Sequence, residues 1–71
     1  MMPLTFANAG EKISIKKIGG KDDTKRFLGS LGFVEGETVT IVSDNGGNLI
    51  VNVKNTRVAI SREMANKIIV A

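Results

Sequence analysis

Glycine residues divide this chain into short apolar segments, and no other feature of the sequence restricts the fold as much. Eight of the 71 residues are glycine and one is proline. The breaks between apolar segments fall at Gly10, Gly19–Gly20, Gly32, Gly36 and Gly46–Gly47. Because these turn signals recur after so few residues, the sequence favours a series of short strands over long helices.

Within these segments, apolar and polar residues alternate with the period of two that is typical of half-buried strands. Ile13 and Ile15, for example, are flanked on both sides by polar residues. The alternation predicts four strands, and a final run of apolar β-branched residues predicts a fifth. The five strands are 11–18, 39–42, 49–53, 57–60 and 68–70. Residues 43–48 tolerate positive φ and predict a hairpin, and Asn55–Thr56 predicts a second tight connection.

One segment, residues 21–31, has the period of a short amphipathic helix instead. Its apolar side is formed by Phe27, Leu28 and Leu31, and its outward side by Lys25, Arg26 and Gly29. Either Asp22 or Asp23 is expected to cap the first turn, and Gly32 is expected to end the helix. This helix follows the first strand.

Residues 61–67 predict a helical turn before the last strand, because Ser61 can cap it and Glu63 and Lys67 suit its two ends. The fold class that results is mainly β: a small, partly open five-stranded barrel in a single domain, residues 1–71. One continuous core is expected, formed by Phe27, Leu28, Leu31, Val39, Ile41, Val51, Val53, Val58 and Ile68.

Composition excludes several kinds of site. The chain has no Cys and no His, so it can form no disulfide, thiolate site or imidazole metal site. The densest acidic pair is Asp22–Asp23, which better suits the start of a helix than a metal ion. No serine has a visible activating partner, and we expect no catalytic residue and no cofactor.

The charge is uneven along the sequence. Residues 1–34 carry six Lys or Arg and three Asp or Glu, whereas residues 35–71 carry four of each, which gives the net charge of +3. This distribution predicts either an ordinary solvated face or a basic patch for an acidic partner. The first residues do not resemble a signal peptide and no stretch has the length of a membrane span, so we expect a cytoplasmic protein without direct membrane insertion.

Three stretches of the chain resemble the FeoA family. Residues 27–39 look like its signature, a leucine, then leucine–glycine–hydrophobic, then a glycine and a valine that begins the next strand. Residues 60–70 are similar to its closing segment, and residues 4–11 to its lead-in before the first strand. The chain departs from the family at Glu35 and at residues 45–47, turn positions where the family often has proline.

The resemblance implies an SH3-like barrel and a cytoplasmic accessory protein of ferrous iron uptake. Such a protein acts by contact with FeoB, a membrane permease whose GTPase region faces the cytosol, and is not an enzyme. Whether it activates, inhibits or scaffolds the permease stays open, as does its oligomeric state.

Two alternatives share this fold. An SH3-like module can bind nucleic acid in translation or RNA metabolism, and the sequence pI of about 9.6 favours that class. However, Phe6, Phe27 and Phe33 are the only aromatic residues, and each is expected in the core rather than stacked on bases, so we expect no nucleic-acid partner. FeoA-like domains also occur at the C-terminus of iron-dependent repressors. A chain of this length, however, has no room for the DNA-binding and metal-sensing domains.

The partner-binding surface is expected on the exposed side of the first helix and its flanks, at Lys21, Lys25, Arg26, Gly29 and Gly32. Gly29 is the informative position, because an outward glycine weakens a helix and gains no core packing in return. It allows a partner's close approach or simply marks a frayed helix end. The hairpin tip, Asp44–Asn48, is the next candidate.

Overall fold

The computed structural model describes all of residues 1–71 and contains six strands, two α-helices and one 3-10 helix. In chain order they are β1 (Met2–Pro3), the 3-10 helix (Leu4–Phe6), β2 (Lys12–Ile18), α1 (Asp22–Ser30), β3 (Thr38–Asp44), β4 (Asn48–Val53), β5 (Thr56–Ser61), α2 (Arg62–Ala65) and β6 (Ile68–Val70). The mainly β architecture and both predicted helices are confirmed. Neither helix has the length and apolar character needed to cross a membrane.

The strands form one antiparallel sheet in the order β1-β6-β2-β3-β4-β5. All five predicted strands are present, with ends that differ by at most two residues, but the sheet has six strands rather than five. The additional strand is β1, in which Met2 pairs with Val70 and Pro3 with Ile69. Two residues are too few for alternation to be recognised, so sequence patterning missed this strand.

β2 joins the two halves of the sheet because it changes partner along its length. Residues 12–14 pair with β3, whereas Ile15, Lys17 and Ile18 pair with β6, with a register shift between Ile15 and Lys17. A second shift occurs in β3, where it pairs with β4. Bulges of this kind bend a strand and increase its twist, so the sheet curls around one core.

Both predicted hairpins are present. At the tip between β3 and β4, the backbone N–H of Asn45 donates to the carbonyl of Asn48 at 3.2 Å. Between β4 and β5, Lys54 and Asn55 have φ of 51° and 63°, the pair of positive values that a type I′ turn requires. This turn lies one residue earlier than predicted, because Thr56 already belongs to β5.

The core contains fourteen buried side chains, all apolar. They are Leu4, Ile13, Ile15, Leu28, Phe33, Val39, Ile41, Leu49, Val51, Val53, Ile60, Ala65, Ile68 and Val70. Six of the nine predicted core residues are among them, and Leu31 and Val58 are partly buried against the same cluster. The core is therefore largely the one expected from alternation.

Two of the three phenylalanines are not in the core, contrary to the prediction. Phe6 is 70% exposed and Phe27 is 49% exposed, and only Phe33 is buried. The 3-10 helix buries Leu4 alone, so Phe6 at its end faces solvent. In α1 only Leu28 is fully buried, and Phe27, about 100° away around the helix, lies at the edge of a narrow contact stripe.

Candidate functional site

The five residues predicted to bind a partner lie on α1 and its flanks. Lys21 is the residue before the helix and has an extended backbone, with φ of −78° and ψ of 166°. Lys25 and Arg26 follow within the helix, and all three basic side chains are exposed. Gly29 and Gly32 are half-buried. The structure thus brings the three cations onto one short segment of surface.

The first turn of α1 is acidic, but neither aspartate caps it. The helix begins at Asp22 itself, so Asp22 and Asp23 lie inside the first turn and Lys21 occupies the cap position without a side-chain hydrogen bond. The capping prediction is therefore wrong, because the helix starts earlier than the cap assignment required. Carboxylates in the first turn still favour the positive end of the helix dipole.

Arg26 keeps most of its freedom to contact a partner. Its guanidinium Nη1 lies 3.8 Å from Oδ1 of Asp23, and the two side chains are 79% and 96% exposed. An ion pair with that separation and exposure contributes little and is easily exchanged for another partner. Phe27 follows directly in sequence, so the exposed side of α1 includes an aromatic ring as well as positive charge.

The two glycines of this surface differ in what the fold requires of them. A side chain at Gly29 would meet no atom within 4 Å, and the residue lies within regular helix, so packing and backbone conformation do not explain it. Gly32 has φ of +106°, which strains any other residue.

Gly32 also explains how α1 ends. Its N–H donates to the carbonyl of Gly29 at 3.0 Å, and the N–H of Phe33 donates to the carbonyl of Leu28 at 3.0 Å. These two bonds form the Schellman motif, with Leu28 and Phe33 both buried beside it. The prediction that Gly32 ends the helix is confirmed, which gives this residue a structural role whatever it contacts.

The alternative site is the tip between β3 and β4, and it is held by Arg62, a residue of α2. Nη2 of Arg62 lies 2.6 Å from Oδ2 of Asp44, and Nε donates to the carbonyl of Gly46 at 3.2 Å. The backbone N–H of Arg62 donates to the carbonyl of Gly47 at 3.2 Å. We call these three contacts the Arg62 clip. These contacts hold the tip against α2 within the chain itself.

No three carboxylates come together in a way that could hold a metal ion. The structure has one groove, on the outer face of the sheet, and it extends towards the end of α1: a side chain at Gly32 would lie 3.5 Å from Cδ of Lys54, one of the lining residues. It is lined by Lys12, Glu37, Thr38, Thr40, Asn52, Lys54 and Asn55. Sequence reasoning missed this groove, although every lining strand residue occupies a polar position in the alternating pattern.

Comparison with known proteins places the whole chain in one family. The model of the FeoA domain matches residues 2–71. A protein of Methanocaldococcus jannaschii, named "Putative Fe(2+) transport protein A", is 34% identical over 70 residues, which cover 99% of this chain and 85% of that protein.

Two crystal structures share the fold closely. An iron uptake regulatory protein, FeoA, superposes with a TM-score of 0.91 at 26% identity, covering 97% of this chain and 93% of that one. The zinc complex of Stenotrophomonas maltophilia FeoA, described as a prokaryotic SH3 domain protein, has a TM-score of 0.87 at 28% identity, covering 100% and 91%. The SH3-like fold expected from the sequence is therefore confirmed.

Proposed function

This chain belongs to the FeoA domain family, and we propose that it is a cytoplasmic accessory protein of ferrous iron uptake that acts by contact with the FeoB permease. The observation that carries the proposal is the family match over residues 2–71, together with the Methanocaldococcus relative named for Fe(2+) transport. FeoA is a family of transport accessory proteins and not a known family of enzymes. A role through protein contact suits that class.

The contact surface that we propose is the exposed side of α1, which we call the α1 surface: Lys21, Lys25, Arg26, Gly29 and Gly32, joined by Phe27. Three exposed cations lie within six residues that also contain Asp22 and Asp23, which leaves a net charge of +1, and Lys25 with Arg26 can pair with carboxylates of an acidic surface. Arginine and aromatic side chains are the residues most often found at energetic centres of interfaces, and Arg26 and Phe27 are neighbours.

Gly29 has a specific part in this proposal. No atom lies within 4 Å of the position that a side chain would occupy, so the backbone of the helix is open to solvent there. A partner can therefore approach the α1 backbone more closely at Gly29 than at any residue with a side chain. Lys25 lies one helical turn before it, which places a charge beside the close contact.

The test measures affinity for the purified cytoplasmic region of FeoB. A Lys25→Glu, Arg26→Glu double variant is expected to bind at least about tenfold more weakly, because two attractive charges become repulsive. The matched control is Lys16→Glu with Lys17→Glu, which makes the same charge change at exposed positions of β2 and should bind like the parent chain. Gly29→Gln is the separate test of close approach.

Each variant must first show an unchanged melting transition. Equal affinity of the α1 double variant and the parent chain would overturn the assignment of the α1 surface. If the α1 and β2 variants weaken binding equally, net charge rather than this surface is responsible. If the parent chain itself fails to bind, contact with FeoB is the wrong function.

Nucleic-acid binding stays the second candidate, because exposure of Phe6 and Phe27 removes one argument against it. Base stacking requires exposed aromatic rings, and the chain has two. An electrophoretic mobility shift with single-stranded RNA and DNA at physiological salt decides between the candidates. A shift that disappears in Phe27→Ser would favour this alternative.

A further inference from the structure

The groove on the outer face of the sheet is basic, although no run of basic residues in the sequence points to it. It has a volume of about 320 Å³ and no hydrophobic residue lines it. Register places Lys12 beside Thr40, Thr40 beside Asn52, and Asn52 beside Arg57. A polar row therefore crosses β2, β3, β4 and β5, with a cation at each end.

Charge on this face is net positive: the groove lining has two lysines and one glutamate, and Arg57 lies beside it. Lys12, Lys54 and Arg57 lie in or beside the groove, and Glu37 is the one carboxylate of its lining. Nζ of Lys54 lies 3.9 Å from Oε2 of Glu37, with side chains 56% and 30% exposed, so the pair is loose. Lys12, Lys54, Arg57 and Glu37 together carry a net charge of +2, and the whole chain carries +3.

The groove offers hydrogen-bond donors that suit carboxylates, although its hydroxyl and amide groups can also accept and Glu37 accepts only. Two ammonium groups, the hydroxyls of Thr38 and Thr40, and the amide groups of Asn52 and Asn55 line it. Small-molecule pockets are mostly apolar and enclose their ligand, whereas this groove is open and polar throughout. It therefore suits a few charged side chains of a larger partner better than a drug-sized molecule.

We propose that this groove binds an extended acidic segment of a partner protein, with carboxylates lying along the row from Lys12 to Arg57. The row spans three strand spacings, about 14 Å, and alternate side chains of an extended peptide repeat every 7 Å or so. Acidic residues at positions i, i+2 and i+4 would therefore reach Lys12, the Thr40–Asn52 pair and Arg57. Glu37 lines the groove but lies outside this row, where its nearest charged neighbour is Lys54.

Two features favour a protein segment over a nucleic acid. No aromatic residue lines the groove, so a single strand would find no surface for base stacking there. Three cations also neutralise too few phosphates to hold a duplex firmly at physiological salt. The proposal goes beyond contact through α1, because its binding residues, Lys12 to Arg57, lie on strands; the two surfaces adjoin only where Lys54 lies beside Gly32.

The probe is a fluorescein-labelled nine-residue peptide with glutamate at its third, fifth and seventh positions and Gly or Ser elsewhere. Binding to the full chain is followed at low salt by fluorescence anisotropy, and the site is located by backbone amide NMR shifts. We expect shifts along the row in β2, β3, β4 and β5, and none in the helix α1. The same peptide with glutamine in place of glutamate should not bind.

Two charge-matched variants make the test specific. Lys12→Gln with Arg57→Gln should weaken glutamate-peptide binding at least about tenfold, while Lys25→Gln with Arg26→Gln should leave it unchanged. The second variant also separates this proposal from the α1 surface, since it removes that surface's charges and spares the groove. Both variants are checked for an unchanged melting transition.

Three results would overturn the proposal. They are equal weakening in both variants, binding of the glutamine peptide as tight as that of the glutamate peptide, and absence of binding to the parent chain. Two further binding measurements, with inorganic phosphate and with RNA, show whether the groove binds a different ligand. If millimolar inorganic phosphate displaces the peptide completely, or a labelled oligouridine binds more tightly and loses affinity in the groove variant, the groove serves phosphate or RNA instead.

Discussion

The two helices differ in a way that their lengths do not suggest. α1 has nine residues, yet it buries one of them fully and has no side-chain cap at its start. α2 has four residues, but Ser61 caps it, Ala65 is buried, and Arg62 reaches the tip between β3 and β4. Anchoring, not length, decides how firmly each helix is held in the framework.

Further contacts deepen that difference. Asn66, at the end of α2, accepts a hydrogen bond from the hydroxyl of Thr5 at 2.7 Å, which ties the helix to the 3-10 helix. α1 is held instead by Leu28 and by the Schellman motif at its end. A helix attached at one residue and one end leaves most of its surface to solvent. Three test substitutions, two of them with a control substitution, examine this comparison.

The largest effect is expected at the single anchor of α1. Truncating Leu28, which is fully buried, to alanine should lower the free energy of unfolding by about 2–5 kcal/mol, because it removes apolar contacts and leaves a cavity. A core this small has a net stability of only a few kcal/mol, so much of the protein should unfold. Urea titration followed by circular dichroism measures it.

Phe27→Ala is the matched control, one residue earlier on the same helix. Since Phe27 is 49% exposed, its truncation should cost less than about 1 kcal/mol. If Leu28→Ala stays fully folded with the urea midpoint of the parent chain, α1 is not anchored as described.

A smaller effect is expected at the cap of α2. The hydroxyl of Ser61 accepts a hydrogen bond from the N–H of Met64 at 3.2 Å. Ser61→Ala should therefore cost about 1 kcal/mol of stability. Ser30→Ala is its control in α1, where the hydroxyl donates only to the carbonyl of Phe27 and should matter by less than about 0.5 kcal/mol. Equal losses of stability in Ser61→Ala and Ser30→Ala would show that the Ser61 cap anchors α2 no better than Ser30 anchors α1.

The smallest effect is expected at Gly29 and has the opposite sign. Alanine there meets no atom within 4 Å and suits a helix better than glycine, so Gly29→Ala should raise stability by roughly 0.4–1 kcal/mol. Thermal unfolding measures the gain. A loss of stability would mean that the helix is not regular at this position.

Much of the fold follows from the sequence because alternation is a local property. The period of two in 49–53 requires only five residues to recognise, and the structure places Leu49, Val51 and Val53 inside as that pattern demands. Ser61 and Gly32 were likewise assigned correctly from their immediate neighbours. The two-residue β1 offers no period, which is why it was missed.

The prediction for Phe27 was wrong because it depended on how wide the contact between α1 and the sheet is. A helical period shows which side of α1 faces inward, but the fraction of that side covered depends on elements distant in sequence. Phe27 was placed in the core for this reason, although α1 meets the sheet through a narrower stripe around Leu28.

The groove was missed for a related reason. Lys12 and Arg57 are 45 residues apart, and only the register of four strands places them on one row. Counting charge in each half of the sequence concealed the patch, because the second half appeared neutral. The groove could have been predicted by assigning the neighbour of each strand first. The outward-facing polar residues of neighbouring strands would then have been compared as one surface.

The Arg62 clip has a consequence for recognition at the hairpin tip. Flexible loops lose conformational entropy when a partner orders them, and that loss is subtracted from the affinity. Here Asp44, Gly46 and Gly47 are already held by Arg62 in the free protein. Any molecule that meets the tip therefore meets a preformed shape, and its selectivity is set by fit to that shape rather than by the tip's ability to adapt.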